Sequence, residues 1–176
     1  MRRYRRAVTT RKLVLVRHAK AARTGKTDIE RELAPRGRAD APAVGRWLAA
    51  EDLAPDRAVL SPARRATQTW ELAAGELPAA PDAAVDDRLY ANIVEDLLAV
   101  VRETPPGVGT VALVGHNPSI EQLALALDDG TGDAAARHEL ATKYPTSGVA
   151  VFAVTADWTS VAPGAGTLLA FTVPHG

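Results

Sequence analysis

Two histidines and two arginines have the residue types and positions needed to hold a phosphoryl group. Arg17 and His18 directly follow one short apolar run, His116 follows another, and Arg65 comes a few residues after a third. A guanidinium binds two oxygens of one phosphate and stays charged, which suits it to an anionic ligand. If the fold brings the four side chains together, they form a phosphate site.

Three apolar runs, residues 13–16, 57–60 and 110–114, are expected to position these side chains as short buried strands. In an open α/β sheet, ligands bind at the carboxyl ends of the strands. A parallel arrangement would therefore gather the four polar residues at one edge of the sheet.

The segments between these runs alternate with them as helices. Helical spacing or helix-start residues predict helices at about 33–50, 61–74, 93–102 and 118–127. Ser61 is expected to cap the second of these helices, and free N–H groups of the fourth are expected to point toward the phosphate site. A possible edge strand at 83–85 and a terminal hairpin of strands at 149–154 and 167–173 complete the pattern. This order predicts a three-layer α/β/α sandwich with a mostly parallel sheet and an antiparallel edge.

The length and composition of the chain limit the number of domains it can form and the classes of partner it can bind. The 176 residues, 47% of them hydrophobic, are enough for one domain, predicted at 12–176 after a disordered basic tail at 1–11. A formal net charge of zero favours neither nucleic acid nor an anionic membrane as a partner. Cysteine is absent and no apolar run has the length of a transmembrane helix, so we expect a cytoplasmic protein.

The order of three motifs resembles the histidine phosphatase superfamily, whose fold is phosphoglycerate-mutase-like. The chain is most similar to the SixA-like phosphohistidine phosphatases, over roughly residues 12–173. Ala19 replaces the glycine usual after the first histidine, a mild departure shared by relatives in this branch. The residues that carry the resemblance are Arg17-His18-Ala19, Ser61-x-x-x-Arg65-Ala66-x-x-Thr69 and Gly115-His116-Asn117.

This resemblance implies a role for each residue of the site. His18 would attack phosphorus in line and become transiently phosphorylated, while Arg17 and Arg65 clamp the phosphoryl oxygens. His116 would stabilise the developing charge. Lys20 and Asn117 are candidate substrate-binding residues, although Lys20 could equally face water. No cofactor is implied, and the four histidines lack the clustered spacing with carboxylates that a metal site needs.

Many members of the superfamily also use a carboxylic acid to protonate an alcohol leaving group, and that residue is hard to place here. Asp86, Asp87, Glu95 and Asp96 lie in the corresponding region, but none occupies a recognisable motif position. Ordinary helix-start and solvated acids account for all four. Since an imidazole leaving group needs less proton assistance than an alkoxide, a missing acid fits phosphohistidine better than a sugar phosphate.

Three functions therefore remain open at the level of sequence. The first is a metal-independent phosphatase acting on phosphohistidine in proteins, favoured by a chain too short for the long insertion that covers the site in mutase-like relatives. The second is a phosphomonoesterase for small molecules on the same scaffold. The third is a non-catalytic phosphate or phosphopeptide binding module, disfavoured because a pure binder has no need of His18. The expected partner is a phosphorylated protein or small molecule, and the expected state is a monomer.

Overall fold

One sheet runs through the part of the chain that the computed structural model describes, residues 10–25, 27–79 and 81–176. The spatial order of its strands is third, second, fourth, first, fifth, sixth. The first four pair in parallel and the last two are antiparallel, which confirms the predicted sheet. The strands are β1 (Arg11–Arg17), β2 (Arg57–Leu60), β3 (Asp82–Val85), β4 (Thr110–Gly115), β5 (Val149–Val154) and β6 (Gly166–Thr172).

Helices cover both faces of this sheet. They are α1 (Pro35–Ala50), α2 (Arg64–Ala74), α3 (Arg88–Ala91), α4 (Val94–Arg102), α5 (Ser119–Leu127) and α6 (Ala134–Thr142), with a 3₁₀ turn at Trp158–Ser160. Successive residues of a strand point to opposite faces. Val14 and Val16 accordingly join the apolar core shared with α1 and α2, whereas Leu13 and Leu15 join the core shared with α3 to α6. The predicted three-layer α/β/α sandwich is confirmed.

A close contact between α1 and α2 fixes the helix that carries Arg65. Gly45 of α1 lies against the backbone of Ala73 in α2, and a Cβ atom at Gly45 would stand only 1.9 Å from the Ala73 carbonyl oxygen. Glycine therefore allows the two helices to approach to backbone contact. This contact ties the far end of α2 to the core.

Strand β1 is longer than its apolar run indicates. It begins at Arg11, which pairs with Val154 of β5 and donates a hydrogen bond of 2.7 Å to Asp157. The sequence pattern assigns Arg11 to the disordered tail, but these contacts place it in the sheet. Residues 1–9 of that predicted tail lie outside the described residues.

The segment before β5 contains a helix that the sequence pattern does not predict, since the last predicted helix ends at residue 127. Helix α6 forms there, and the Asp133 side chain caps it by accepting a hydrogen bond from the Ala136 N–H. Within the described ranges, no helix combines the length and apolar character needed to cross a bilayer.

Candidate active site

A cavity of about 500 Å³ lies at the carboxyl ends of the parallel strands. All six residues singled out in the sequence line it: Arg17, His18, Lys20, Arg65, His116 and Asn117. The other lining residues are Ala21, Asp28, Arg31, Tyr90, Asn92 and Thr146. Arg17 and Asn117, which are 100 positions apart, thus share one pocket with Arg65 because β1, β2 and β4 are adjacent and parallel.

His18 is held in one orientation at the end of β1. Its backbone N–H donates to Gly115 of β4 at 3.0 Å, and its Nδ1 lies 2.7 Å from the carbonyl oxygen of Ala19. A carbonyl oxygen only accepts hydrogen bonds, so Nδ1 carries the ring proton and Nε2 keeps its lone pair. Burial, helped by the positive charges of Arg65 and Arg17, lowers the pKa of His18 to about 3. The imidazole is therefore neutral at pH 7 and is a competent nucleophile at Nε2.

His116 lies beside His18, and the centroids of the two imidazole rings are 5.0 Å apart. Its Nε2 is 2.7 Å from the hydroxyl oxygen of the fully buried Ser61, which also accepts a weaker bond of 3.3 Å from the Ala63 N–H. With the Ser61 hydroxyl as the donor to Nε2, the ring proton of His116 lies on Nδ1. Nδ1 has no hydrogen-bond partner among the described residues. Burial, followed by the charge of Arg65, lowers the pKa of His116 to about 4.

This role of Ser61 corrects its predicted role as a helix cap. Helix α2 begins at Arg64, and its N-cap residue, Ala63, provides no side-chain hydrogen bond. The Ser61 hydroxyl instead orients an imidazole that is 55 residues away in the chain.

Arg17 and Arg65 each use some of their N–H groups in hydrogen bonds to other residues of the protein. Arg65, only 8% exposed, donates from Nη1 to the backbone oxygen of Asp28 at 2.7 Å and from Nη2 to its carboxylate at 3.0 Å. Arg17 donates from Nη1 to the Tyr144 carbonyl at 2.8 Å, and its buried Nε has no partner within the described residues. A guanidinium has five N–H donors, so each keeps donors for a ligand. The neighbouring Arg64 does not line the pocket and pairs with Glu32 at 3.6 Å.

Asn117 uses its amide N–H groups inside the protein. Nδ2 donates to Glu121 and to the Tyr144 carbonyl, both at 3.1 Å, which leaves the acceptor Oδ1 facing no donor among the described residues. The start of α5 is also occupied, since the Ser119 N–H donates to the Asn92 side chain at 3.0 Å. The predicted free N–H groups at the start of this helix therefore do not include those of Ser119 and Ile120, since the Ile120 N–H donates to the His116 carbonyl oxygen at 2.9 Å. Asn117 and Asn92 instead brace the segment that carries His116.

Lys20 is exposed at the rim of the pocket. With Thr146 it also borders a second cavity of about 400 Å³ that continues past the start of α1. His175 lines that second cavity, and its Nδ1 lies 3.1 Å from Nη2 of Arg36. The position of Lys20 is thus compatible with contact to parts of a substrate beyond its phosphoryl group.

The pocket is lined by an acidic residue that is not among the four considered from the sequence. Asp86, one of the four acids considered from the sequence, forms an ion pair with Arg88 at 2.7 Å and does not line the pocket. The pocket is lined instead by Asp28, which lies in the loop between β1 and α1. This loop has no hydrophobic periodicity, so its sequence does not indicate which of its side chains faces the pocket. Tyr90 could have been found, because it follows the carboxyl end of β3 at the same edge of the sheet.

A bound metal has no ready-made site among the described residues. They include no group of three or more His, Asp or Glu side chains placed to hold a cation.

Comparison with known proteins places the site in a family. Residues 13–95 match the model of the histidine phosphatase superfamily (branch 1). An uncharacterised protein of Mycobacterium tuberculosis strain H37Rv is 37% identical over 162 residues, which cover 91% of this chain and all of the relative. The solved structure of a candidate phosphohistidine phosphatase SixA from Nakamurella multipartitia is 31% identical, with a TM-score of 0.83 over 94% of this chain and 96% of that one. A second candidate SixA structure, from Agrobacterium tumefaciens, is 29% identical, with a TM-score of 0.77 over 93% of this chain and 98% of that one.

Proposed function

The chain belongs to the histidine phosphatase superfamily, in its SixA-like branch, and from this premise we propose that it removes phosphate from phosphohistidine in proteins without a metal ion. Membership of the family supports a phosphatase in general terms. The observation that carries the catalytic part of the proposal is the state of His18, a neutral imidazole whose Nε2 lone pair is left available by the Nδ1 bond to Ala19.

His18 would supply the nucleophile of the first step. Its Nε2 attacks phosphorus while the bond to the leaving group breaks on the opposite side, and the transferring group spreads negative charge over three oxygens. Arg17 and Arg65 would bind these oxygens through the N–H groups not used by Tyr144 and Asp28. Because both guanidiniums are already anchored, little reorganisation is needed as the charge develops.

His116 would donate to one of the same oxygens from Nδ1. The Ser61 hydroxyl bond to Nε2 favours the tautomer that this donation requires. A bound phosphoryl dianion would also raise the low pKa of His116 by its negative charge. Water would then attack phospho-His18 and release inorganic phosphate.

A protein substrate is supported by the surroundings of the pocket. The loop between β1 and α1 borders the pocket without burying it, since the Asp28 side chain on this loop remains 52% exposed. A phosphohistidine on the surface of another protein could therefore reach His18. The same proposal includes a monomer in the cytoplasm, because one chain supplies the residues of the pocket and the sequence contains no cysteine.

The second candidate is a phosphomonoesterase for small molecules, favoured by a cavity of about 500 Å³ that is large enough for a small phosphate ester. The two functions differ in substrate preference. The test compares wild type with His18→Ala, in EDTA, on a phosphohistidine protein, phosphohistidine peptides and p-nitrophenyl phosphate. The proposal predicts strong preference for phosphohistidine and loss of all turnover in the variant. Equal or better turnover of the ester would select the second candidate, and phosphate binding without any turnover would indicate a binding module.

A further inference from the structure

Asp28 anchors Arg65 in the proposed chemistry, but that chemistry gives its carboxylate no contact with the substrate. Three side chains converge on it: Arg31 donates to Oδ1 at 2.9 Å, and Arg65 and Tyr90 each donate to Oδ2 at 3.0 Å. These hydrogen bonds, led by that of Arg31, lower the pKa of Asp28 to about 2, so the group is ionised at neutral pH. An ionised carboxylate cannot serve as the acid that protonates an alkoxide.

The Asp28 carboxylate lies on the solvent side of the Arg65 guanidinium. Its side chain is 52% exposed, whereas that of its partner Arg65 is 8% exposed, so the carboxylate stands nearer the solvent than the guanidinium that would clamp the phosphoryl group. In a protein substrate the leaving imidazole remains attached to a polypeptide. That ring must therefore lie toward the solvent, in the region where Asp28 lies.

The carboxylate also has one acceptor position to spare. It offers about four lone-pair sites, and the three donors use one on Oδ1 and two on Oδ2. The remaining site on Oδ1 can accept one more N–H.

We propose that Asp28 accepts a hydrogen bond from the unphosphorylated ring nitrogen of the leaving imidazole and thereby selects phosphohistidine over phosphate esters, an inference that rests on the proposed function. Two imidazoles would then flank phosphorus in matched environments. The Nδ1–H of His18 is held by the Ala19 carbonyl, and the corresponding N–H of the substrate ring is held by Asp28.

The transfer balances without any added acid. The substrate ring enters protonated at its distal nitrogen; the His18 Nε2 lone pair forms a bond to phosphorus, and the substrate P–N bond breaks with its electron pair returning to the ring nitrogen. The ring leaves as neutral imidazole with its N–H intact, and His18 is left as a phosphorylated ring that keeps its Nδ1–H. Water then forms a P–O bond while the P–Nε2 bond breaks, which gives dihydrogen phosphate and neutral His18.

The charge of Asp28 acts in opposite directions on the two substrate classes. In a loose transition state the departing imidazole retains part of its positive charge, which the carboxylate stabilises. The oxygen of a departing ester group instead gains negative charge, which the same carboxylate repels.

The test compares kcat/KM of wild type, Asp28→Asn and Tyr90→Phe on a phosphohistidine peptide and on p-nitrophenyl phosphate, with EDTA present. Asp28→Asn removes the charge, whereas Tyr90→Phe removes one hydrogen bond to the same carboxylate and keeps the charge. We expect the preference for phosphohistidine to fall about tenfold or more in Asp28→Asn. It should stay within about twofold of wild type in Tyr90→Phe, whose carboxylate keeps its charge. Inhibition by inorganic phosphate reports separately whether the Arg65 clamp has moved.

Two outcomes would overturn the inference alone while wild type still prefers phosphohistidine. Equal losses on both substrates in Asp28→Asn would show that Asp28 only positions Arg65, and a loss confined to the ester would make it a general acid. If wild type itself does not hydrolyse phosphohistidine, the proposed function fails first and the inference fails with it.

Discussion

Ser61→Ala is expected to impair catalysis through the tautomer of His116. The hydroxyl of Ser61 is fully buried and lies 2.7 Å from Nε2 of His116, which is itself nearly buried. Removing it leaves an imidazole nitrogen without its partner, and a buried polar group left unsatisfied costs about 1–3 kcal/mol of unfolding free energy. The variant should also lose the bias that keeps the ring proton on Nδ1. Since loss of a whole donor to a developing oxyanion costs about 10²–10³ in kcat, we expect a fall of up to about a hundredfold.

Ser119→Ala provides a matched control for this change. Ser119 is another fully buried serine, and its hydroxyl donates to the backbone oxygen of His116 at 3.2 Å rather than to the ring. Urea unfolding and kcat/KM on a phosphohistidine peptide are measured for both variants, and long-range ¹H–¹⁵N correlation spectra report the tautomer of His116. The control should lose stability and keep its activity. If Ser61→Ala reduces kcat/KM no more than Ser119→Ala does, or if wild-type His116 carries its proton on Nε2, the argument for Ser61 is wrong.

Three further changes probe the clamp, the fold and the buried imidazoles. Arg65→Lys keeps the positive charge but loses the planar fork, so inhibition by inorganic phosphate should weaken about tenfold to a hundredfold, measured as Ki in EDTA. Gly45→Ala would force a methyl group against the α2 backbone, so the free energy of unfolding measured in urea should fall by about 1–3 kcal/mol. Gly107→Ala is the control: a Cβ atom at this position has no neighbour within 4 Å, so the free energy of unfolding should change little. The pKa values of His18 and His116 lie at about 3 and about 4, below the value near 6.5 expected in the unfolded chain. The unfolded state therefore binds more protons as the pH falls from 7 to 5, and the folded protein should lose about 2 kcal/mol for each histidine. A double substitution of both histidines by Gln should reduce this loss in urea unfolding at the two pH values, and an unchanged loss would show that the imidazoles are not held neutral.

Those parts of the site that follow directly from a strand could be predicted from the sequence. His18 and His116 each stand immediately after a buried strand, so local pattern alone placed them at the same edge. Arg65 followed from its motif and from its position in the first turn of α2. The structure brings these groups to one cavity in the predicted arrangement.

The parts that could not be predicted depend on contacts between distant residues. Asp28 lies in a loop without periodicity, and its place in the pocket is fixed by Arg65, 37 residues away, and by Tyr90, 62 residues away. Ser61 fits a helix cap locally, but the imidazole of His116 competes for its hydroxyl. Arg11 is polar and outside the apolar run, yet it extends β1 because it pairs with Val154 of β5 and donates to Asp157, three residues past the end of that strand.

Trapping of the phosphorylated enzyme tests the central claim most directly. A protein labelled with ³²P on histidine is mixed with the enzyme in EDTA, quenched with alkali within a single turnover, and the labelled peptide of the enzyme is identified by mass spectrometry. The account predicts an acid-labile, alkali-stable label on His18 that forms and decays at rates compatible with kcat, and no label in His18→Ala. Release of phosphate at the wild-type rate by His18→Ala, or a label on another residue, would contradict it.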